Sequence, residues 1–141
     1  VGWFFIVTEF VKTPVPDQAA ASEKFDISVL REDYPDGRLA LSWEELRRLD
    51  GKHVIASHAR RHVSLANLGS DALADEILGS QHDFQQHLGH PVRTFVAYGG
   101  PAMGDIPAAD PLIRQAGYQF VFSNYAIQRL GPNPTGYLKP S

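Results

Sequence analysis

Cysteine is absent from all 141 residues, which excludes disulfide staples and thiolate metal sites. Its absence leaves the compartment open, because a large secreted domain can manage without disulfides. No apolar stretch approaches the roughly 20 residues of a spanning helix, and no charged-then-apolar leader with a small-residue cleavage site opens the chain. Blocks of one charge are missing too. The 13 Lys and Arg and 16 Asp and Glu are interspersed and sum to −3 with neutral His, so there is no basic stripe of the kind nucleic acid or anionic lipid selects. Neither internal repeats nor low-complexity tracts occur. What remains is a 43% hydrophobic chain with enough material for one domain and its core. It opens on Val1 inside a strand-like run and closes without a terminal helix, so one incomplete domain over 1–141 is expected.

The pattern along the chain alternates strands with helices. Gly2 to Thr8 is continuously apolar, as expected of a strand covered on both faces. Residues 12–39, with Pro14, Pro16, Pro35 and Gly37, read as an irregular insertion holding a helical turn over 19–24. Ser42 and Glu45 have capping-box spacing, and Leu41 and Leu46 that of a hydrophobic staple, predicting a helix to about Asp50. A strand over 53–57 follows. Ser70 is expected to cap a helix whose Leu73, Ile77, Phe84 and Leu88 form one apolar stripe. Gly79 inside that helix costs about 1 kcal/mol against Ala, which local packing must offset. A strand over 92–97 leads into Tyr98-Gly99-Gly100. Asp110 and Pro111 read as N-cap and first helical residue, Gly117 ends that helix, and a strand spans 118–122. Signals beyond Ser123 are poor, and 131–134 is read as a loop. This alternation predicts an α/β fold with a parallel sheet, open or closed into a barrel.

The chemistry-bearing stretch is Ser57-His58-Ala59-Arg60-Arg61-His62. Two imidazoles four residues apart at the carboxyl end of a buried strand can share one ion, and neutral imidazole suits Zn²⁺ or another divalent first-row transition metal. The ordinary alternative is a pair of loop histidines bonded to backbone or water. Strand ends are where α/β sheets place their sites, which favours the metal reading.

Three stretches in order resemble the polysaccharide deacetylase family, carbohydrate esterase family four, also called the NodB homology domain. Trp3-Phe4-Phe5-Ile6-Val7 is similar to its "A-T-F-F-V" strand, and Leu49 to His58 to its "a-G-H-E-I-G-S-H" run. Pro91-Val92-Arg93-Thr94-Phe95-Val96-Ala97-Tyr98-Gly99-Gly100 resembles "P-V-R-x-F-x-Y-P-Y-G-G", and 110–122 resembles the segment that follows it. The resemblance implies a partial distorted (β/α) barrel. It further implies a metal-dependent hydrolase that removes acetyl groups from a polysaccharide such as chitin, peptidoglycan, poly-N-acetylglucosamine or acetylated xylan. An extracellular, periplasmic or cell-envelope setting goes with it. His58 and His62 match the metal histidines, and Tyr98 the residue whose backbone N–H serves the oxyanion, a donor worth about 3–4 kcal/mol when well aimed. The departures are Ala97 in place of the usual Pro, Arg93 off the spacing of the base-orienting arginine, and no "T-F-D-D-G" run. That run supplies the base and an aspartate ligand and would lie before Val1; the family's general-acid histidine would lie beyond Ser141. The chain alone is therefore expected to be inactive.

Other residues have plainer readings. His53 is expected to be a structural hydrogen-bonder, His82, His87 and His90 to be solvated, and Asp105 to be a loop acid. Trp3 is assigned to the core, and Trp43 is expected to pack on the sheet rather than stack on a sugar. Arg60 and Arg61 are expected to point outward, either one free to meet a carboxylate. The rival function is a non-catalytic carbohydrate-binding or interaction domain that keeps the fold.

Overall fold

Five strands in sequential order organise residues 1–131, the part of the chain that the computed structural model describes. They are β1 (Trp3–Ile6), β2 (Val54–Ser57), β3 (Thr94–Phe95), β4 (Phe120–Phe122) and β5 (Ile127–Arg129). The first four pair in parallel, and β5 returns antiparallel along β4. Among the described residues the sheet is open, with β1 and β5 at its edges. The helices are α1 (Thr8–Lys12), α2 (Gln18–Lys24), α3 (Trp43–Leu49), α4 (Ser70–Leu88) and α5 (Asp110–Gln115), none long and apolar enough to cross a membrane. The expected loop at 131–134 lies, from Pro132 on, outside the described residues.

The main core fills one face of the sheet. Ile6, Ile55, Phe95 and Val121 meet Leu46 of α3, Leu73, Ile77 and Phe84 of α4, and Ile113 of α5. On the other face Trp3 and Phe5 are 45% and 39% exposed, gathered against Phe122 with ring centroids 5.9 and 5.1 Å away. The expectation of a doubly covered first strand, with Trp3 in the core, is thus corrected. A continuous apolar run conceals its own alternation when the open face is aromatic. The strand also stops at Ile6 and turns directly into α1, whose Phe10 joins Val7, Ala21 and Phe25 in a second, smaller core beneath the insertion. Within 12–39 the helical turn expected at 19–24 is α2, flanked by 3-10 turns at Val15–Asp17 and Arg31–Asp33.

Among the described helices α3 is the one whose start is set by a side-chain cap. The Ser42–Glu45 box forms in both directions, at 3.1 and 3.0 Å, and those bonds hold the Glu45 carboxyl below its ordinary range. Gly69, not Ser70, caps α4, and Ala109, not Asp110, caps α5; neither uses a side chain. β3 is shorter than expected because the Gln81 side chain takes both the N–H and the carbonyl of Val92, at 2.9 and 2.8 Å, in place of a neighbouring strand. Trp43 packs on α4 rather than the sheet, stacked on His87 at 4.4 Å and edge-on to Phe84, so His87 is half-buried rather than solvated. His90 pairs with Asp50, and the Pro91 carbonyl, followed by that carboxylate, raises its pKa.

Gly79 makes room for a cation. A Cβ there would lie 2.5 Å from Cζ of Arg60, whose guanidinium is bonded to Asp83 and Asp75. In an exposed helix Gly→Ala stabilises by about 1 kcal/mol. Here Gly79→Ala is expected to destabilise by about 1 kcal/mol, because displacing Arg60 outweighs the helix gain. Urea unfolding of the two proteins reads the sign, and a gain in stability refutes the packing role.

Candidate functional site

His58 leaves the end of β2 where its backbone N–H still donates to Ile6 of β1, at 2.8 Å. Its Nδ1 lies 2.7 Å from the carbonyl oxygen of Val96, and Nδ1 of His62 lies 2.7 Å from that of Phe25. A carbonyl can only accept, so each Nδ1 carries a proton, and Nε2 is the ring atom left to bind an ion when the imidazole is neutral. The ring centroids are 4.7 Å apart with their planes at 63°. Burial, helped by the nearby His62, pushes the His58 pKa down against the opposing pull of the Val96 carbonyl, which favours the neutral form that binds metal.

Tyr98 completes the group. Its ring stands edge-on to His62, centroids 4.7 Å apart, and its hydroxyl donates to Asp26 at 3.1 Å, a bond that raises the phenol pKa. Its backbone N–H has no acceptor among the described residues. The next two residues take positive φ, 82° at Gly99 and 68° at Gly100, as a strand-to-loop turn requires. Asn124 fixes that turn by bonding the carbonyls of Gly99 and Gly100, and a Cβ at Gly100 would lie 2.3 Å from its Oδ1. His58 and His62 line a cleft of about 350 Å³ with Phe5, Phe10, Asp26 and Leu39.

The structure therefore brings His58, His62 and Tyr98 together. His53, as expected, is structural: its Nδ1 accepts from the Gly2 N–H at 2.8 Å. Asp105 accepts from the Ala102 N–H within its own loop, and His82 is exposed. Arg60 is largely buried rather than pointing outward as expected, Arg61 stays 42% exposed, and both meet carboxylates, the alternative left open for either. Both guanidinium groups turn onto α4 and meet Asp75, with Asp83 also holding Arg60 and Glu76 holding Arg61.

Sequence reasoning missed Phe25 and Asp26, which sit in the insertion with no motif around them. It also missed Glu76 and Asp83, for which a signal existed. They are seven residues apart, and 73, 76, 77, 80, 83 and 84 follow helical spacing, so both carboxylates share the buried face of α4.

Two imidazoles with bonded Nδ1 atoms fit Zn²⁺ or a neighbouring first-row ion as two of its ligands, carbonyl-oriented as such ligands usually are. Among the described residues no group of three or more His, Asp or Glu could hold the ion.

The polysaccharide deacetylase family model matches residues 2–121. Among solved structures the fold is similar to a de-N-acetylase from Aggregatibacter actinomycetemcomitans, at 18% identity and a TM-score of 0.61, over 92% of this chain and 56% of that one. It is also similar to the BpsB deacetylase domain from Bordetella bronchiseptica, at 17% identity and a TM-score of 0.55, over 93% and 54%. At such identities the likeness speaks for the fold. The chain spans about half the length of these structures. Comparison with curated proteins gives no match.

Proposed function

Since the chain belongs to the polysaccharide deacetylase family, we propose that it carries part of the active site of a metal-dependent hydrolase that removes acetyl groups from an N-acetylglucosamine polymer. The observation that supports this most is the histidine pair, with each Nδ1 committed to a carbonyl, which leaves Nε2 as the atom that can bind an ion. His58 and His62 would hold Zn²⁺ or a similar divalent ion, which when bound polarises a carbonyl and lowers the pKa of water.

The chain's own residues have separable parts. Phe25 and Val96 hold the tautomers, and burial keeps His58 neutral. The Tyr98 N–H is the donor for the oxyanion that forms as the acetyl carbonyl becomes tetrahedral. Asp26 restrains the Tyr98 side chain and so the turn that aims this N–H. Preference for N-acetyl over O-acetyl groups is supported by the de-N-acetylase named among the fold neighbours.

The test takes the full-length natural protein, strips it with a chelator, and measures acetate release from N-acetylglucosamine oligomers before and after adding Zn²⁺ or Co²⁺. Release that disappears with the metal and returns with it is expected. Oligomer binding without release, metal present, overturns the hydrolase reading in favour of a carbohydrate-binding domain.

A further inference from the structure

The loop that carries the histidine pair is strained at two residues that are not glycine. Ala59 and His62 have φ of 62° and 56°. Such conformations cost roughly 1–2 kcal/mol each and persist only where their surroundings enforce them. Two helices supply the enforcement here. The first amides of α1 donate to the loop's carbonyls, Thr8 to Ala59 at 3.2 Å and Glu9 to Arg60 at 3.0 Å. From α4, one carboxylate oxygen of Glu76 accepts two of the three loop amides between the histidines, Arg60 at 2.8 Å and Arg61 at 3.0 Å. Its second oxygen accepts from the Arg61 guanidinium at 2.9 Å.

Glu76 is only 2% exposed, on the helix face that also carries Leu73, Ile77 and Phe84. An apolar side chain would serve packing there, and burying a carboxylate is expensive unless it is bonded. The bonds it makes run to the histidine loop. We propose that Glu76 is the positioning residue of the metal-ligand pair: by binding two of the amides between His58 and His62 it keeps both flanking residues left-handed and both rings over one cleft. This inference rests on the reading of His58 and His62 as ligands. It adds that their geometry is imposed from α4, an element that carries neither histidine.

Three variants of the full chain separate the possibilities. Glu76→Gln keeps an oxygen for both amides, Glu76→Ala removes it, and Arg61→Met removes only the ion pairs of Arg61 with Glu76 and Asp75. Zn²⁺ alone is titrated by calorimetry, and two further readouts need no metal: the ring tautomers of His58 and His62 by nitrogen NMR, and hydrogen exchange at the Arg60 and Arg61 amides. The Ala variant is expected to lose at least about tenfold in Zn²⁺ affinity, the scale of losing an outer-shell partner. Its His62 should populate both tautomers, and its two amides should exchange at least about tenfold faster, as losing one hydrogen bond implies. The Gln and Arg61→Met variants should stay within about threefold of the parent on every readout. Unchanged tautomers and exchange in the Ala variant overturn the proposal, as does a Gln variant as impaired as Ala. If the Ala variant does not fold, Glu76→Met, which keeps the helix face filled, is read in its place. A parent chain that binds no Zn²⁺ sinks the ligand reading alone, while tautomers and exchange still decide the role of Glu76.

Discussion

Replacing His58 by Ala is expected to lower Zn²⁺ affinity by more than about 100-fold, above the 10–100-fold that an outer-shell partner is worth. Acetate release by the full-length protein should fall to background. The fold should survive, because the variant loses one hydrogen bond to Val96, worth about 1 kcal/mol, at the margin of the cleft. His62→Ala should behave alike, since its ring makes the equivalent bond to Phe25. Zn²⁺ calorimetry, the acetate assay and a urea midpoint together separate lost chemistry from lost folding. Unimpaired acetate release by folded His58→Ala protein refutes the assignment of the pair.

The largest effect on stability is expected at Asp83. Its carboxylate is buried between α1 and the histidine loop and accepts from Thr8 Oγ1 at 2.6 Å, Lys12 Nζ at 2.7 Å, and Arg60 Nε and Nη2 at 3.0 Å each. Removing one partner of a buried ion pair typically costs about 3–5 kcal/mol, because the remaining charge is stranded. Arg60 keeps Asp75, and the Lys12 side chain is a third exposed, so Asp83→Ala is expected near the lower figure, about 3 kcal/mol, in urea unfolding. A loss under about 1 kcal/mol would show that the network is solvated in practice.

The same carboxylate gives a pH signature. Burial raises the Asp83 pKa, but hydrogen bonds from Arg60, Lys12 and Thr8 outweigh it, and the folded value lies below the ordinary one. The native state therefore binds the proton less readily than the unfolded chain. The stabilisation is fully present above the ordinary aspartate range, about pH 4, and is lost as pH falls through the folded value. The parent protein should lose stability on acidification below about pH 4, and Asp83→Asn should flatten that dependence.

Where sequence and structure part, the reason is the same in several places: side chains doing backbone work. The Ser42–Glu45 box, the stripe on α4 and the Gly99-Gly100 turn were legible because each depends on residues close in sequence. The histidine pair was legible because both members fall within one turn of a strand end. Gln81 shortens β3 by bonding Val92 across eleven residues, and no local pattern announces that. Charge misled as well. Arg60 and Arg61 read as pointing outward because most surface arginines do, yet Asp75, Glu76 and Asp83, fourteen or more residues on, pair with them. Trp3 and Phe5 read as core because hydropathy does not distinguish a filled face from an aromatic one left open.

The segment 12–39 is both wall and workpiece of this site. Phe25 fixes the proton on His62, and the adjacent Asp26 tethers Tyr98, so a stretch without motif adjusts two functional groups at once. Grafting or trimming this segment would release the His62 ring and the Tyr98 side chain together. The orientations of an imidazole and a phenol are mechanically coupled through two consecutive residues, and moving one must carry the other along.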